Sequence, residues 1–278
     1  MTMIGFTEGF LAWLASTAIP AFVGLLVIVW AGNVVKPKYL TAFALGIFLW
    51  FFVDTIQGSA NLDVNAGFTG GVAQVAAVGL FIIGVLVVFW IDRSRGVFCS
   101  ELTIGTLGMA IPLLVAATTG IHGLGEGAAF GATAYTTSSS SLLDSFGGVS
   151  AGVAYFLHKG LEPMMAGACY VVYSKRTGSG VTSQLGDVLL LGVVFVLPSL
   201  VGAPVGYFIM GPATGYLARF DTTYFFALGT GTSIYAALRL ARPLFRSGES
   251  VGSEDSIRMV VPLVLGFIAI YFAALFHS

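Results

Sequence analysis

Long apolar runs alternate with short polar segments along the whole chain. A membrane-spanning helix needs about 20 mainly apolar residues, and the pattern contains eight runs of that length. It therefore predicts an all-α integral membrane protein with eight transmembrane helices and a single polytopic domain, residues 1–278. The predicted spans are 9–32, 39–58, 70–91, 102–136, 146–174, 184–210, 222–242 and 257–276.

Basic residues fall on one side of these spans. Ten of the twelve Lys and Arg residues lie on the same side if the chain crosses eight times: Lys36, Lys38, Arg93, Arg95, Lys175, Arg176, Arg239, Arg242, Arg246 and Arg258. The side rich in Lys and Arg is normally cytoplasmic. The sequence therefore predicts that both termini are extracellular or periplasmic, in a multi-pass protein of the plasma or inner membrane.

The composition excludes several classes of function. Charged residues make up 9% of the chain and the net charge is −1, so no basic face for nucleic acid is expected. Cys99 and Cys169 are the only cysteines, too few for a disulfide framework or a cysteine zinc site. No Walker-type or GxGxxG loop for a nucleotide is present. No charged segment precedes the first apolar run, so we interpret it as a true span and not as a cleaved signal.

Two stretches place ionisable residues inside predicted spans. The stretch "GIHGLGEGAAFG" contains His122 and Glu126, and "FLHKGLEPMMAG" contains His158 and Glu162. Residues four apart share one face of a helix, so the two pairs would converge if the faces meet. Two imidazoles and two carboxylates suit Zn²⁺, Fe²⁺, Mn²⁺ or Co²⁺ better than Cu⁺ or Ca²⁺. The alternative is that each histidine is a hydrogen-bonded core residue.

Lys159 is a third kind of ionisable residue in the fifth span. It lies more than ten residues from either end of that span, about 15 Å or more from each interface. This distance is too great for easy snorkelling, so the lysine needs a carboxylate nearby. Glu162 at i+3 and the facing Glu126 are the expected partners.

Other polar residues give weaker indications. Asp54, near one end of the second span, would attract cations entering from outside or serve as an interfacial residue or helix cap. Asp187, near the start of the sixth span, would be an exit ligand or an N-terminal helix residue favoured by the dipole. Asn61, Asp63 and Asn65 alternate in the outer loop after the second span and predict turns, with oxygen ligands as the alternative.

The paired motifs resemble those of the ZIP (Zrt/Irt-like) family of divalent metal transporters. That family carries H-N-x-P-E-G in its fourth span and H-x-x-x-E in its fifth, where this chain has H-G-L-G-E-G and H-K-G-L-E-P. Eight spans and outside termini also match, so the resemblance covers nearly the whole chain. It implies a ZIP-like bundle that moves divalent metal, zinc first, into the cytoplasm, with spans 1, 4, 5 and 6 moving against 2, 3, 7 and 8. It also implies a homodimer, which the sequence leaves open.

The chain departs from this family at a second metal site. Where family members place further ligands, this chain has Gly123, Lys159 and, before Pro204, Ala203. We therefore predict one metal site. Our hypothesis is that Lys159 occupies the vacant second position as a counter-ion and neutralises one carboxylate when the metal leaves. The alternative is that Lys159 only lines a water-filled cavity.

Two other functions stay open on the sequence alone. One is an intramembrane metal-dependent hydrolase, although a catalytic zinc usually has three protein ligands and four are predicted here. The other is a proton or cation exchanger or channel that binds no metal. We expect a transporter and not an enzyme, with the metal as substrate, the bilayer as partner and no cofactor, nucleotide or nucleic acid. Two His and two Glu ligands admit zinc, iron, manganese, cobalt and, less well, cadmium.

Overall fold

A computed structural model describes residues 5–65, 71–95, 109–136, 146, 148–174, 181–212, 223–245 and 253–275. These residues form helices joined by turns and contain no strand, so the all-helical prediction is confirmed for them. The helices are α1 (Phe6–Ala31), α2 (Pro37–Asn65), α3 (Gly71–Arg95), α4 (Ala110–Thr136), α5 (Val149–Leu161), α6 (Met164–Cys169), α7 (Val181–Val205), α8 (Thr223–Phe245) and α9 (Ser253–Leu275). Short π-helical turns, Tyr170–Ser174 and Gly206–Met210, follow α6 and α7.

Three of the described helical segments are long and apolar enough to cross a membrane: Phe6–Ala31, Gln74–Ser94 and Val181–Met210. Large apolar side chains also point outward from the bundle, as on α3, where Val75, Ile82 and Leu86 are about half exposed or more. Apolar surface of this kind is stable against lipid and unfavourable in water. The chain therefore fits an α-helical membrane protein.

Helical structure falls in every predicted span, with differences at the ends. Residues 102–108 of the fourth predicted span lie outside the described part of the chain. The second helix is longer than predicted, because α2 continues to Asn65. The turns predicted at Asn61, Asp63 and Asn65 are therefore wrong. Residues 59–65 contain no Gly or Pro that would end a helix. The Asn and Asp side chains alone were not sufficient to end it.

The fifth predicted span is broken in the middle. Helix α5 ends at Leu161, Glu162 and Pro163 form a turn, and α6 begins at Met164. Proline has no amide hydrogen and its ring clashes with the carbonyl four residues earlier, here that of Lys159. The break therefore falls beside the ionisable residues of this span. Breaks of this kind are tolerated where protein or a cavity satisfies the freed backbone groups.

The helices pack into two groups. Helix α4 packs most extensively against α7, and α1 packs against α5, α6 and α7. In the other group α3 packs against α8, and α2 packs against α8 and α9. The groups meet mainly where α4 contacts α8, with further contacts between α2 and α6 and between α5 and α9. The predicted ionisable residues lie on α4 and α5, close to this junction.

The α4–α7 contact is close enough to require glycine. A Cβ atom at Gly202 would overlap the carbonyl oxygen of Leu124 and lie 2.9 Å from the amide nitrogen of Ala128. Small residues let helix backbones approach in this way in membrane proteins. The register of α4 against α7 is therefore fixed by backbone contact.

Candidate metal site in the helix bundle

Helix α4 contributes His122 and Glu126, one turn apart. His122 is buried, and its ring packs against the ring of Phe226 on α8 with centroids 4.7 Å apart. The backbone one turn earlier is tied to α8, because the hydroxyl of Thr232 donates a 3.0 Å hydrogen bond to the carbonyl of Thr118. Packing and hydrogen bonding to α8 thus fix the position of His122.

The fifth span contributes His158, Lys159 and Glu162, all buried. His158 and Lys159 lie in the last turn of α5, and Glu162 lies in the break before Pro163. Glu162 has 0% exposure, and its carboxylate accepts a hydrogen bond of 2.9 Å from Nε2 of His158. The helix break thus places a charged carboxylate in the middle of the bundle.

Side chains from both spans converge. One ligand atom from each of His122, Glu126 and Glu162 lies within 4.8 Å of the other two. Two ligands bound tetrahedrally to zinc at about 2.1 Å are about 3.4 Å apart, so small side-chain rotations would bring this trio into range of one ion. One nitrogen and two carboxylate oxygens suit Zn²⁺, Fe²⁺, Mn²⁺ or Co²⁺.

His158 lies beside this trio and not within it. Its Nε2 is 2.9 Å from Oε1 of Glu162 and 3.8 Å from Oε1 of Glu126. In this arrangement His158 orients Glu162, as histidines and carboxylates around metal sites commonly orient one another. The four-ligand set predicted from the sequence is present as three converging ligands and a neighbouring histidine.

Lys159 bridges the two glutamates. Its ammonium nitrogen pairs with Oε2 of Glu126 and with Oε2 of Glu162. The ammonium also lies 5.8 Å from the ring centroid of Tyr155 and 5.7 Å from that of Phe195. With neutral histidines, two carboxylates and one ammonium leave one net negative charge in the cluster, which favours binding of a cation.

The residues at the expected second site offer no further carboxylate. A Cβ atom at Gly123 would lie 3.8 Å from Oε2 of Glu126 and 3.7 Å from the hydroxyl oxygen of Ser199. Position 123 therefore borders the glutamate oxygen that Lys159 contacts. Ala203 is buried in an apolar cluster with Trp13 and Tyr155.

An aromatic cluster lies next to the site, and no sequence motif predicts it. The ring of Trp13 packs against the rings of Phe130, at 4.5 Å, and Tyr155, at 4.8 Å. The Trp13 indole donates a 3.1 Å hydrogen bond to the Ser199 hydroxyl, and Tyr155 and Thr17 share a hydrogen bond of 2.9 Å. Only Tyr155 could have been suspected, because it lies four residues before Lys159.

Of the two outlying aspartates, Asp187 lies outside the described cluster. Asp187 is the seventh residue of α7, so the interpretation as an N-terminal helix residue is wrong. Its Oδ2 accepts a hydrogen bond of 2.9 Å from the hydroxyl of Tyr170, which links α7 to the end of the fifth span. Asp54 lies within α2, and its side chain is outside the described part of the structure.

No model of a known protein family matches this chain. A comparison with curated proteins finds no significant match either. The functional assignment therefore rests on the chemistry and geometry of the residues themselves.

Gly229 on α8 offers a test of how closely the site is packed. A Cβ atom there would lie 2.7 Å from the backbone nitrogen and Cα of His122. We expect Gly229→Ala to lower stability by about 1–3 kcal/mol through overpacking and to weaken metal binding measurably, since α8 must move away from His122. Thermal unfolding and calorimetric titration with Zn²⁺ would measure both.

Gly79→Ala on α3 is the matched control for this substitution. No described atom lies within 4 Å of a Cβ atom at Gly79. Equal unfolding temperatures and zinc affinities for the two alanine variants would contradict the tight packing of α8 against His122.

Proposed function

We propose that this protein is a transporter that moves divalent transition-metal ions across a membrane, through one site built from His122, Glu126, Glu162 and His158. The observation that carries the proposal is the convergence of His122, Glu126 and Glu162 inside a bundle with an apolar exterior. Ionisable groups are unfavourable in a membrane and usually mark a substrate pathway or binding site. The resemblance of both motifs to the ZIP family supports the same function.

The proposal includes eight crossings with both termini outside, and movement of the metal towards the cytoplasm. The basic residues on one side of the predicted spans support this orientation, and the family resemblance supports the direction. Alternating access would move α1, α4, α5, α6 and α7 against α2, α3, α8 and α9. The packing of the helices into these same two groups is compatible with such a movement.

Metal content is the first test of the proposal. Purified protein would be equilibrated with a mixture of Zn²⁺, Fe²⁺, Mn²⁺ and Co²⁺ and analysed for bound elements. We expect about one ion per chain, because one such cluster is present among the described residues. The positions of the expected second site, Gly123, Lys159 and Ala203, offer no further carboxylate or imidazole. Two ions per chain would contradict the single site. Metal-dependent uptake by proteoliposomes is the separate test of transport itself.

Acidification should weaken metal binding. Histidine binds metal when neutral and glutamate when ionised, so protons compete with the ion for the same atoms. We expect the zinc dissociation constant, measured by titration between pH 7.5 and pH 5.5, to rise as the pH falls. A dissociation constant that does not change over this range would contradict competition between protons and the metal ion at this site.

A second candidate function is a cation exchanger or channel that needs no bound metal. The ion pairs of Lys159 with Glu126 and Glu162 favour it, since both carboxylates already have a cationic partner. Proton or alkali-cation flux through proteoliposomes in the presence of a metal chelator would support this candidate. Flux that appears only with divalent metal would support the transporter.

A further inference from the structure

We propose that Lys159 acts as an internal exchangeable cation, which holds Glu126 and Glu162 in the metal-free protein and is displaced by the incoming ion. This inference rests on the proposed transport function and adds a role in the transport cycle. The ammonium would neutralise one of the two carboxylates of the empty site, so that the metal-free transporter changes conformation with one net negative charge in the cluster and not two.

The contacts of Lys159 support direct competition with a metal ion. Its ammonium pairs with both Glu126 and Glu162, and the same two carboxylates converge with His122. A metal ion bound by this trio would need oxygen atoms that the ammonium now contacts. Two cations held so close together would also repel each other strongly. Loading the ion therefore requires the ammonium to move away from at least one carboxylate.

Burial explains why the empty site needs a cation. Lys159 has 1% exposure, and Glu162 has none. Removing one partner from a buried ion pair is strongly unfavourable, because a charge is left without water or a counter-ion. When the metal leaves, Lys159 is the one cationic side chain among the described residues that pairs with both glutamates. It can replace the ion without any change in its own protonation.

The structure also provides an environment for the displaced ammonium. The rings of Tyr155 and Phe195 lie 5.8 Å and 5.7 Å from the nitrogen, on α5 and α7 respectively. Aromatic faces attract a cation at such distances, and more strongly when water is excluded. A small shift would move the ammonium away from the carboxylates and leave it between these rings.

This role predicts different effects of Lys159 on net uptake and on metal exchange. A lysine that only supports the structure would affect both processes equally. Net uptake requires the empty transporter to return to the outer side, and this return is easier when the ammonium offsets one of the two buried carboxylates. Exchange of external for internal metal keeps an ion in the site during every conformational change. Loss of the ammonium should therefore slow net uptake and leave exchange nearly intact.

The experiment uses the full chain in proteoliposomes with radioactive Zn²⁺. Net uptake is measured into zinc-free vesicles and exchange into zinc-loaded vesicles, for wild type, Lys159→Met, Lys159→Arg and Lys36→Met. We expect Lys159→Met to slow net uptake at least about tenfold, which corresponds to about 1.4 kcal/mol in the barrier, and to change exchange by less than about twofold. Lys159→Arg should retain more net uptake than Lys159→Met, because it keeps the charge.

Lys36→Met is the matched control, since Lys36 is exposed and far along the chain from the site. It should leave both processes unchanged. An equal loss of net uptake and exchange in Lys159→Met would show that Lys159 only supports the structure and would overturn the inference. No change in either process would overturn it as well. Wild-type protein that shows neither process with Zn²⁺ would overturn the proposed function itself.

Thermal stability gives a second readout that does not depend on transport. Without Lys159, a bound ion should neutralise the two glutamates in its place, so saturating Zn²⁺ should raise the unfolding temperature of Lys159→Met more than that of wild type. An equal or smaller rise would contradict the inference. The inference predicts that bound Zn²⁺ compensates the two glutamates when Lys159 is absent. A Lys159→Met variant that cannot be purified even with Zn²⁺ present would therefore also contradict the inference.

Discussion

Metal uptake should fall by more than about 100-fold when Glu162 is replaced by glutamine, and by a similar factor in His122→Ala. Loss of a residue that only hydrogen-bonds to a metal ligand already lowers metal affinity by about 10- to 100-fold. Glu162 and His122 are candidate direct ligands, so we expect a larger effect from their loss. Glu162→Gln keeps the size of a side chain with 0% exposure, so the loss would come from its charge and its oxygen ligand. Radioactive zinc uptake and bound metal per chain would both be measured.

Asp187→Asn is the matched control, because it makes the same chemical change at a carboxylate outside the cluster. Asp187 accepts a hydrogen bond from Tyr170 and does not belong to the trio. Asp187→Asn should leave uptake within about twofold of wild type, since substitutions away from a functional site usually have small effects. If Glu162→Gln still binds one ion with wild-type affinity, the proposed site is wrong.

A second large effect is expected on folding from Gly202→Ala. The added methyl group would overlap the Leu124 carbonyl oxygen, so α4 and α7 could not keep their present distance. Overpacking of this kind typically lowers stability by about 1–3 kcal/mol, and more where backbone atoms cannot yield. We expect a lower unfolding temperature and weaker metal binding, since α4 also carries His122 and Glu126.

Gly186→Ala makes the same change on the same helix in open surroundings. No described atom lies within 4 Å of a Cβ atom at Gly186. Alanine favours a helix over glycine by about 0.5–1 kcal/mol, so this variant should be as stable as wild type or slightly more stable. If Gly202→Ala were equally well tolerated, the α4–α7 contact would be looser than the structure shows.

The proposed role of Lys159 would connect the charge of the site to its selectivity. With the ammonium displaced, two carboxylates and a neutral histidine carry two negative charges, which a divalent ion neutralises. A monovalent ion would leave one charge uncompensated in a buried setting and would compete less well with the ammonium. This balance favours divalent ions, while the choice among them depends on ligand distances and coordination geometry.

The sequence by itself determined which segments form helices. A run of about 20 apolar residues in lipid has to satisfy its own backbone hydrogen bonds, and a helix does so locally. The same local geometry placed His122 with Glu126, and His158 with Glu162, because residues four apart share a helix face. The break at Pro163 also has a local cause, since proline cannot continue the hydrogen bonds of a helix.

Only the tertiary structure decided which of these residues meet. The convergence of Glu126 with Glu162 depends on how α4 approaches the fifth span, and no spacing along the chain contains that distance. The position of His158 beside the trio, and the Trp13 cluster on α1, likewise depend on contacts between distant segments. Asp187 was misjudged because the helix already begins at Val181, and its hydrogen bond with Tyr170 joins segments that the local pattern does not connect. Local patterns fix helices and their faces, whereas the distances within a site follow from packing, which depends on the whole bundle.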